Sequence, residues 1–302
     1  MDISVIITSW NGEKILKKNL LKVIASSPEA KEIIVADDAS TDGTLSYLKT
    51  LTPRFKKLKI ISHQKNRGFG YNSNSAVKKA EGDLVALLNN DVIPEKGYLK
   101  ACLPYFKKKD TFAISFAENK NPHPARIMWQ GGFFLHEPWQ NPPSPAISAW
   151  ASGGSAIFNR RLFLALGGFD ELFSPFYWED VDLGYRAWKS GYQIFWDPTA
   201  KVDHRHESTL SRFPRSFLNR VKERNQLLLI QKNISDPAML RHHCLGLIGR
   251  CLLGPNYCKV ILSAKRRARF FKKEIHQTQA QNYPLTDRAV FQLFKKPKPP
   301  LS

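Results

Sequence analysis

The first ninety residues alternate between short apolar runs and longer stretches in which apolar residues recur at helical spacing. The apolar runs are typical of buried strands and lie at 3–7, 32–36, 59–62 and 82–86. The stretches with helical spacing lie between them, at 13–26, 44–50 and 71–80. This succession predicts an α/β fold with a mostly parallel sheet, in which right-handed crossovers bring the strand ends to one edge.

Beyond residue 117 the pattern is less regular. Residues 118–150 contain six prolines and three tryptophans (Trp129, Trp139 and Trp150) and predict a long functional loop or lid. Exposed tryptophans can stack on sugar rings, although most tryptophans are core residues. The apolar spacing further predicts helices at 161–166, 182–189, 215–232 and 239–271, a strand at 193–196 and a disordered tail from Lys295.

Polar clusters follow two of the predicted strands. Asp37-Asp38 follows the second strand, and Asn89-Asn90-Asp91 follows the strand that begins near Gly82. Both clusters are therefore expected at the same edge of the sheet, where open α/β sheets bind their ligands. A carboxylate there suits a divalent cation shared with substrate phosphates, and an acidic cluster can also hold a base or ribose. The alternative is that both clusters are turns with helix caps.

Two further groups of polar residues have a structural and a chemical interpretation. Glu179, Asp180 and Asp182 begin a helix, where the helix dipole stabilises carboxylates, but crowded carboxylates also raise one another's proton affinity, which suits a general base. His204 and His206 follow the strand at 193–196 and either complete a metal site with Asp91 or are surface residues.

Composition narrows the class of protein. The chain of 302 residues is 42% hydrophobic, which is ordinary for a globular core. Its four cysteines lack zinc or disulfide spacing, so we expect free thiols in a reducing compartment. No signal peptide and no apolar run long enough to span a bilayer are visible, so we expect a cytoplasmic protein. The absence of GxGxxG after the first strand and of GxxxxGK[ST] argues against a dehydrogenase or P-loop enzyme.

The positive charge is concentrated near the carboxyl end. The chain has a net charge of +20, and residues 203–302 contain 20 Lys+Arg and 6 Asp+Glu, a net of +14. The basic cluster at 265–273 includes aromatic residues, and a basic amphipathic helix binds readily to anionic membranes. We therefore expect this third of the chain to meet a membrane surface, nucleic acid or a phosphorylated substrate, unless the charges form only a solvated face.

The order of motifs resembles the family-2 glycosyltransferases, and especially their rhamnosyltransferase-like bacterial members. The similarity covers residues 3 to about 232. The motifs that carry it are Ser4-Val5-Ile6-Ile7-Thr8, the segment from Val35 to Thr44, Asn66-Arg67-Gly68-Phe69-Gly70, Leu88-Asn89-Asn90-Asp91, Gly167-Gly168-Phe169-Asp170-Glu171 and Glu179-Asp180-Val181-Asp182-Leu183.

The resemblance implies a GT-A (Rossmann-like) fold whose donor site binds a nucleotide-sugar. In the family's motifs, Asp37 contacts the pyrimidine base, and Asp91 holds Mn²⁺ or Mg²⁺ on the diphosphate. Asn89 stands where the family has its first metal-motif aspartate, so it would reach only the ribose or a water. The residues expected to bind the nucleotide-sugar are Thr8, Trp10, Asp37, Asp38, Arg67, Gly68, Asn89 and Asn90.

The resemblance also implies inverting transfer. Asp180, in the family's Glu-Asp motif with Glu179, would be the catalytic base, and one displacement needs no covalent nucleophile. His204 matches the family's histidine after the last sheet strand, so Asp91, His204 and His206 form the expected metal site. The residues expected beside the acceptor are Trp150, Ser152, Gly153, Gly154 and Trp178.

These expectations define a reaction and an organisation. Residues 1–212 would form the catalytic domain, with a nucleotide-sugar half at 1–117 and an acceptor half at 118–212. Residues 213–302 would form a basic helical extension that docks on the inner face of the plasma membrane. The expected activity is metal-dependent hexosyl or deoxyhexosyl transfer from a UDP- or dTDP-sugar to a glycan or lipid-linked acceptor in cell-surface polysaccharide synthesis.

Three other interpretations remain open at this point. A nucleotidyltransferase would need a Gly-rich, basic loop after the first strand, and Thr8-Ser9-Trp10-Asn11-Gly12 lacks one. A nucleic-acid- or membrane-binding protein with a degenerate transferase site would explain the charge, and DNA binding would then depend on salt. A non-catalytic scaffold is favoured only by Asn89.

Overall fold

The computed structural model describes residues 1–120, 122–143, 145–205, 213–254 and 256–295. His206, the expected domain boundary at residue 212 and the predicted tail beyond Lys295 lie outside the described residues.

Ten strands and eleven α-helices are described, and their order alternates strictly up to residue 89. The strands are β1 (Ile3–Ser9), β2 (Glu32–Asp37), β3 (Leu58–Ser62), β4 (Leu84–Asn89), β5 (Val92–Pro94), β6 (Thr111–Glu118), β7 (Ala125–Gln130), β8 (Phe133–Pro138), β9 (Ser155–Asn159) and β10 (Gln193–His204). The helices of the first 190 residues are α1 (Glu13–Ser26), α2 (Thr44–Leu51), α3 (Phe69–Lys79), α4 (Tyr98–Cys102), α5 (Arg160–Ala165) and α6 (Glu179–Lys189). The later helices are α7 (Arg215–Asn233), α8 (Pro237–Leu253), α9 (Tyr257–Phe270), α10 (Lys272–Gln279) and α11 (Asp287–Leu293).

Eight strands form one sheet in the order β3-β2-β1-β4-β9-β6-β10-β5. β1, β2, β3 and β4 pair in parallel, as do β6 and β10, while β9 and β5 run antiparallel to their neighbours. The predicted α/β fold with a mostly parallel sheet flanked by helices is confirmed. The ends of three strands meet, since Ser9 pairs with Asp37 and Thr8 pairs with Asn89.

The sheet is buried on both faces, as its nearly continuous apolar strands require. Along β1, Ile6 packs into a hydrophobic cluster on one face, whereas Val5 and Ile7 pack into a second cluster on the other. The alternation follows from the period of two residues in a strand. Helix α3 packs in the first cluster and α1 in the second. Because both helices are anchored in this way, the positions of the loops that lead into them from the carboxyl edge of the sheet are fixed.

The prediction of a loop at 118–150 is wrong for the central part of that range. There β7 and β8 form an antiparallel hairpin whose turn is Gly131-Gly132, with φ of 59° and 81°. Glycine adopts these positive φ values without strain, and Gly-Gly is a turn signal for hairpins. The prolines flank or close the hairpin and do not prevent it. Trp139 is buried, at 3% exposure, and belongs to the core.

The single helix predicted at 239–271 is also interrupted, because α8 ends at Leu253 and α9 begins at Tyr257. The carboxyl-terminal helices are not a detached appendage. Leu228 and Ile230 of α7 pack in the hydrophobic cluster that includes Phe134 of β8. Within the described residues, no helix is both long and apolar enough to cross a membrane.

Candidate active site

A cleft with a cavity of about 390 Å³ lies at the carboxyl ends of β1 and β4, opposite the first turn of α6. This volume is within the range of small-molecule sites. The sequence-predicted residues that line the cleft are Thr8, Trp10, Asp38, Gly68, Asn89, Asn90, Asp91, Ser152, Gly153, Gly154, Glu179 and Asp180. The fold therefore brings residues from distant parts of the sequence around one cavity.

Asp38 shapes the donor side of this cleft through the backbone. Its carboxylate accepts hydrogen bonds from the backbone N–H groups of Arg67 (3.1 Å) and Gly68 (2.7 Å). Gly68 has a φ of 88°, which favours glycine, and its turn begins α3. Burial raises the pKa of Asp38, although these backbone hydrogen bonds oppose the increase. The loop before α3 therefore depends on an acidic side chain at the end of β2.

Two predicted donor residues lie beside the cleft and do not line it. Asp37 is fully buried, and its carboxylate accepts hydrogen bonds from the backbone N–H and the hydroxyl of Ser40. The guanidinium of Arg67 stacks over Tyr71 at 3.6 Å and pairs with Glu171 at 3.0 Å. In this conformation Asp37 supports the turn after β2, and Arg67 contributes its backbone to the Asp38 contact.

Asp91 has the free coordination capacity that a cation site needs. Its Oδ2 atom is buried and has no hydrogen-bond partner among the described residues, while its Oδ1 lies 3.3 Å from Nε2 of His204. The part of the chain that the structure describes contains no group of three His, Cys, Asp or Glu side chains able to hold a metal. Mg²⁺ is commonly held by one or two carboxylates with substrate phosphates and waters. Asp91 therefore fits a cation that is shared with a bound diphosphate.

His204 is held between two carboxylates. Its Nδ1 lies 3.1 Å from Glu118 Oε1, and its Nε2 faces Asp91. Burial lowers the pKa of His204, but the two carboxylates outweigh it and raise the pKa to about 9. In the metal-free chain these contacts favour the protonated ring, and a bound cation would have to displace that proton before His204 could act as a ligand. His204 neighbours Asp91 as expected, but in this state it acts as a cation.

Two glycines allow the opposite wall to approach β4 closely. A Cβ on Gly154 would lie within 2.4 Å of the Asn89 side chain, and one on Gly153 would lie 2.9 Å from the ring of Phe69. The backbone N–H of Asn89 donates to the carbonyl of Gly154 at 2.8 Å. The predicted acceptor residues Gly153 and Gly154 are thus in contact with the donor edge, and larger side chains would narrow the cleft.

The two carboxylates at the start of α6, Glu179 and Asp180, both have raised pKa values. Burial raises the pKa of Asp180 to about 6, while the backbone N–H groups of Val181 and Gly153 favour its charged form. Burial and the neighbouring Asp180 raise the pKa of Glu179 further. Both side chains remain partly open to the cleft. A carboxylate with a raised pKa that faces an open cleft suits a general base.

The segment before this pair is held from α7. The side-chain amide of Asn225, which is fully buried, donates to the carbonyls of Phe173 (2.7 Å), Phe176 (3.1 Å) and Tyr177 (2.8 Å). Tyr177 and the next residue, Trp178, have φ values of 72° and 79°, which are unfavourable for non-glycine residues. The strained backbone immediately before Glu179 is therefore stabilised by a helix that lies about 50 residues later in the sequence.

The two predicted acceptor tryptophans are not brought into the cleft. Trp178 is only 9% exposed, and its ring packs edge-on against Phe134 and His136. Trp150 packs against the same histidine, with ring centroids 4.9 Å apart. Both indole rings pack between the hairpin and α6, where their large apolar area is buried.

Sequence reasoning missed the aromatic wall of the cleft. The additional lining residues include Phe69, Asn72, Pro175, Phe176, Tyr177 and Phe213. The run from Phe173 to Trp178 is rich in aromatic residues and precedes the acidic pair, which was the available signal. Its orientation depends on Asn225 and is not encoded in the local sequence.

Comparison with known proteins identifies similar sequences and similar folds. The profile of Glycosyl transferase family 2 matches residues 4–165. An uncharacterized glycosyltransferase of Haemophilus influenzae is 32% identical over 108 residues, which are 36% of this chain and 33% of that protein. The N-acetylglucosaminyl-diphospho-decaprenol L-rhamnosyltransferase of Mycobacterium tuberculosis is 26% identical over 239 residues, which are 67% of this chain and 76% of that protein. The match thus spans only a third of the first relative's length.

The solved structures include the same fold. The crystal structure of GalNAc-T7 with UDP, GalNAc and Mn²⁺ superposes with a TM-score of 0.63 at 17% identity. The superposition covers 78% of this chain and 48% of that one. The predicted GT-A architecture is confirmed by this likeness.

Proposed function

The chain belongs to glycosyl transferase family 2, and on that premise we propose that it transfers a hexosyl or deoxyhexosyl group with inversion from a nucleoside diphosphate-sugar to a hydroxyl of a glycan or lipid-linked acceptor. The observation that carries the proposal is the cleft itself. It joins a carboxylate with a free buried oxygen, Asp91, to a raised-pKa carboxylate, Asp180, across one cavity.

The donor would lie along the carboxyl edge of β1 and β4. Asp38 and the backbone around Gly68 support the nucleoside end of the site, and Asn89 lies next to Asp91 at the diphosphate end. A divalent cation held by Asp91, next to His204, would neutralise the charge that develops on the departing diphosphate. The structure of GalNAc-T7 with UDP and Mn²⁺ supports this choice of cation and of a pyrimidine nucleotide.

The chemical step needs one base. Asp180 would take the proton from the acceptor hydroxyl as that oxygen forms a bond to the anomeric carbon. The bond from the anomeric carbon to the diphosphate oxygen would break on the opposite face, and its electron pair would leave with the diphosphate. A single displacement of this kind inverts the anomeric centre and needs no enzyme nucleophile.

A role in cell-surface polysaccharide synthesis is supported by the relatives. The mycobacterial relative is named for L-rhamnosyl transfer and for N-acetylglucosaminyl-diphospho-decaprenol, a lipid-linked sugar. An O-antigen biosynthesis protein of Myxococcus xanthus is also 26% identical over 229 residues, which cover 70% of this chain but only 18% of that protein. A lipid-linked acceptor and a UDP- or dTDP-sugar are therefore the substrates that we propose.

Donor binding is tested by thermal unfolding of the whole chain with UDP, dTDP, GDP and DNA, each with and without Mn²⁺. A ligand at 100 times its dissociation constant adds about 2.7 kcal/mol to the free energy of unfolding. We expect stabilisation by UDP or dTDP that requires Mn²⁺ and is lost in Asp91→Ala. The matched control is Asp83→Ala, at the opposite end of β4, which should retain the response. Stabilisation by DNA alone would contradict the proposal and favour a binding protein.

The role of Asp180 is tested by Asp180→Asn. This variant should bind UDP with unchanged affinity, because the base acts only on the acceptor. Transfer should fall by a factor of about 10² to 10⁴, which is the usual contribution of a general base. Turnover equal to that of the unmodified enzyme would remove Asp180 from the role.

A further inference from the structure

A second large cavity lies between α7, α8 and α9. Its volume is about 1050 Å³. Its lining combines two chemistries, a set of basic side chains and a set of apolar ones. The donor cleft has no comparable set of basic side chains among its described lining residues.

The basic side of this groove has little compensating negative charge. Arg220, Arg224, Arg250 and Lys259 line it together with a single carboxylate, Glu223. Arg220 and Lys259 are both exposed. The sequence from 237 to 273 contains nine Lys+Arg and no Asp or Glu. The groove is therefore complementary in charge to an anionic group.

Arg224 is the most constrained of these cations. It donates to the carbonyl of Ser174 at 2.6 Å. Burial lowers the pKa of Arg224 to about 10, and the charge of Arg267 contributes to the decrease. Arg224 lines the groove, and an anionic group there would offset the repulsion that its guanidinium experiences.

The apolar side of the groove opens toward solvent. Phe217, Val221, Tyr257 and Val260 form its floor. At its rim the last residue of α8, Leu253, is 92% exposed, and its neighbour Leu252 is 79% exposed. Exposed apolar residues next to a cavity mark a surface for an apolar ligand. A ligand that fits the whole groove carries both an anionic and an apolar part.

One aromatic cluster connects this groove with the donor cleft. Phe176 and Phe213 line the cleft, and Phe217 lines the groove. The rings of Phe213 and Phe217 are stacked with centroids 5.4 Å apart, and Phe176 lies 5.5 Å from Phe213. A molecule with its anionic group in the groove could therefore extend past these rings toward Asp180.

We infer that this groove binds the phosphate group and the first isoprenoid units of a lipid-linked acceptor, whose sugar hydroxyl then reaches the cleft. The inference rests on the proposed function, since it assigns a site to the acceptor of that reaction. Arg220 and Lys259 would contact the phosphate oxygens, and Leu253 would contact the lipid chain.

The test uses farnesyl diphosphate, a short isoprenoid diphosphate, with inorganic pyrophosphate and farnesol as partial ligands. Binding to the whole chain is measured by calorimetry without any donor sugar. We expect farnesyl diphosphate to bind at least tenfold more tightly than either partial ligand. The double variant Arg220→Gln/Lys259→Gln should weaken it at least tenfold, and Leu253→Gln should weaken it without changing pyrophosphate binding.

The matched control is Arg241→Gln/Lys265→Gln, which removes the same charge from exposed positions of α8 and α9 outside the groove. It should change farnesyl diphosphate binding less than twofold. Equal losses in both double variants would overturn the inference in favour of bulk charge, and equal binding of pyrophosphate would overturn it in favour of a free-phosphate site. UDP binding is measured in parallel, so that failure of the donor cleft is distinguished from failure of the groove.

Discussion

The two walls of the cleft are held in different ways. The proposed donor wall is built from the ends of β1, β2 and β4, and its main polar contact joins Asp38 to Gly68, 30 residues later. The proposed catalytic wall carries Glu179 and Asp180, but it is fixed by residues of α7. Asn225 holds the segment before the acidic pair, and Lys232 reaches Asp182, 50 residues earlier.

Helix α7 therefore helps to hold the proposed catalytic wall in place. Asp182 is fully buried and is contacted by Arg186 (2.8 Å), Lys232 (2.9 Å) and Asn233 (2.8 Å). These contacts join the helix of the proposed base to α7. Changes in α7 should therefore alter both the free energy of unfolding and the rate of sugar transfer. They should leave nucleotide binding unchanged.

The largest effect should follow loss of the Asp182 carboxylate. Asp182→Asn keeps the shape of the side chain but leaves the buried Arg186 without its nearest counter-charge, which typically costs about 3–5 kcal/mol. Urea denaturation measures this change in the free energy of unfolding. Asp2→Ala, which breaks an exposed pair with Lys31, is the control and should not move the midpoint. A midpoint for Asp182→Asn equal to that of the control would contradict the comparison.

The same variant should change how the free energy of unfolding depends on pH in the acidic range. Burial alone would raise the pKa of Asp182, but Arg186 and Lys232 lower it below its ordinary value. A lowered pKa gives stability that is present above the ordinary value and is lost as pH falls through the folded value. Asp182→Asn should therefore lose stability at neutral pH and vary less with pH below about 4.

The next effect concerns Asn225. In Asn225→Ala the carbonyls of Phe173, Phe176 and Tyr177 lose their shared donor, and the strained backbone before Glu179 can relax. A displacement of about 1 Å at a reacting group can cost about 10²-fold, so we expect kcat/KM for the acceptor to fall by that factor. UDP affinity, measured by calorimetry, should change by less than about threefold, because α7 does not build the donor wall.

The control for this variant is Gln226→Ala. Gln226 is also buried in α7, but it donates to the carbonyl of Phe134 in the hairpin and not to the cleft segment. Its loss should affect transfer much less. If both variants reduced transfer equally, the effect would reflect loosening of α7 in general.

The sequence was sufficient to predict the elements of the donor wall, because each of them is marked by a pattern in its own stretch of sequence. Each strand and helix up to residue 89 is marked by its apolar period, and parallel pairing then places Thr8, Asp38 and Asn89 at one edge. The roles of these residues stay predictions, although their convergence is observed. The local pattern did not reveal which of two neighbouring side chains faces the cavity. Asp37 accepts a hydrogen bond from Ser40, whereas Asp38 lines the cleft.

The catalytic wall could be foreseen only in part. The acidic residues of α6 stood out in the sequence as a cluster. Asn225, however, lies about 50 residues after the three carbonyls that it binds, so no local pattern connects it with them. The hairpin at 125–138 was hidden by its prolines, even though Gly131-Gly132 is a turn signal. Trp178 was expected beside the acceptor from the family resemblance, yet its ring packs against Phe134.

A smaller effect should appear in the pH dependence of transfer. The proposed base acts when deprotonated, and burial raises the pKa of Asp180 to about 6. The kcat should therefore fall about tenfold for each pH unit below that value and rise to a plateau above it, until Glu179 also titrates. The measurement is kcat at saturating donor between about pH 4.5 and 8. A rate that stays constant down to about pH 5 would argue against Asp180 as the base.

The smallest effect should come from the contact that joins the two walls at the surface. Arg67 pairs with Glu171 at 3.0 Å, but both side chains are open to solvent, and such pairs contribute little. We expect Glu171→Gln to change UDP affinity and the unfolding midpoint by less than experimental error, because Arg67 keeps its stacking on Tyr71 and its backbone contact with Asp38. A large loss of UDP affinity would show that the walls are coupled through this pair, and that the donor wall is not independent of the catalytic one.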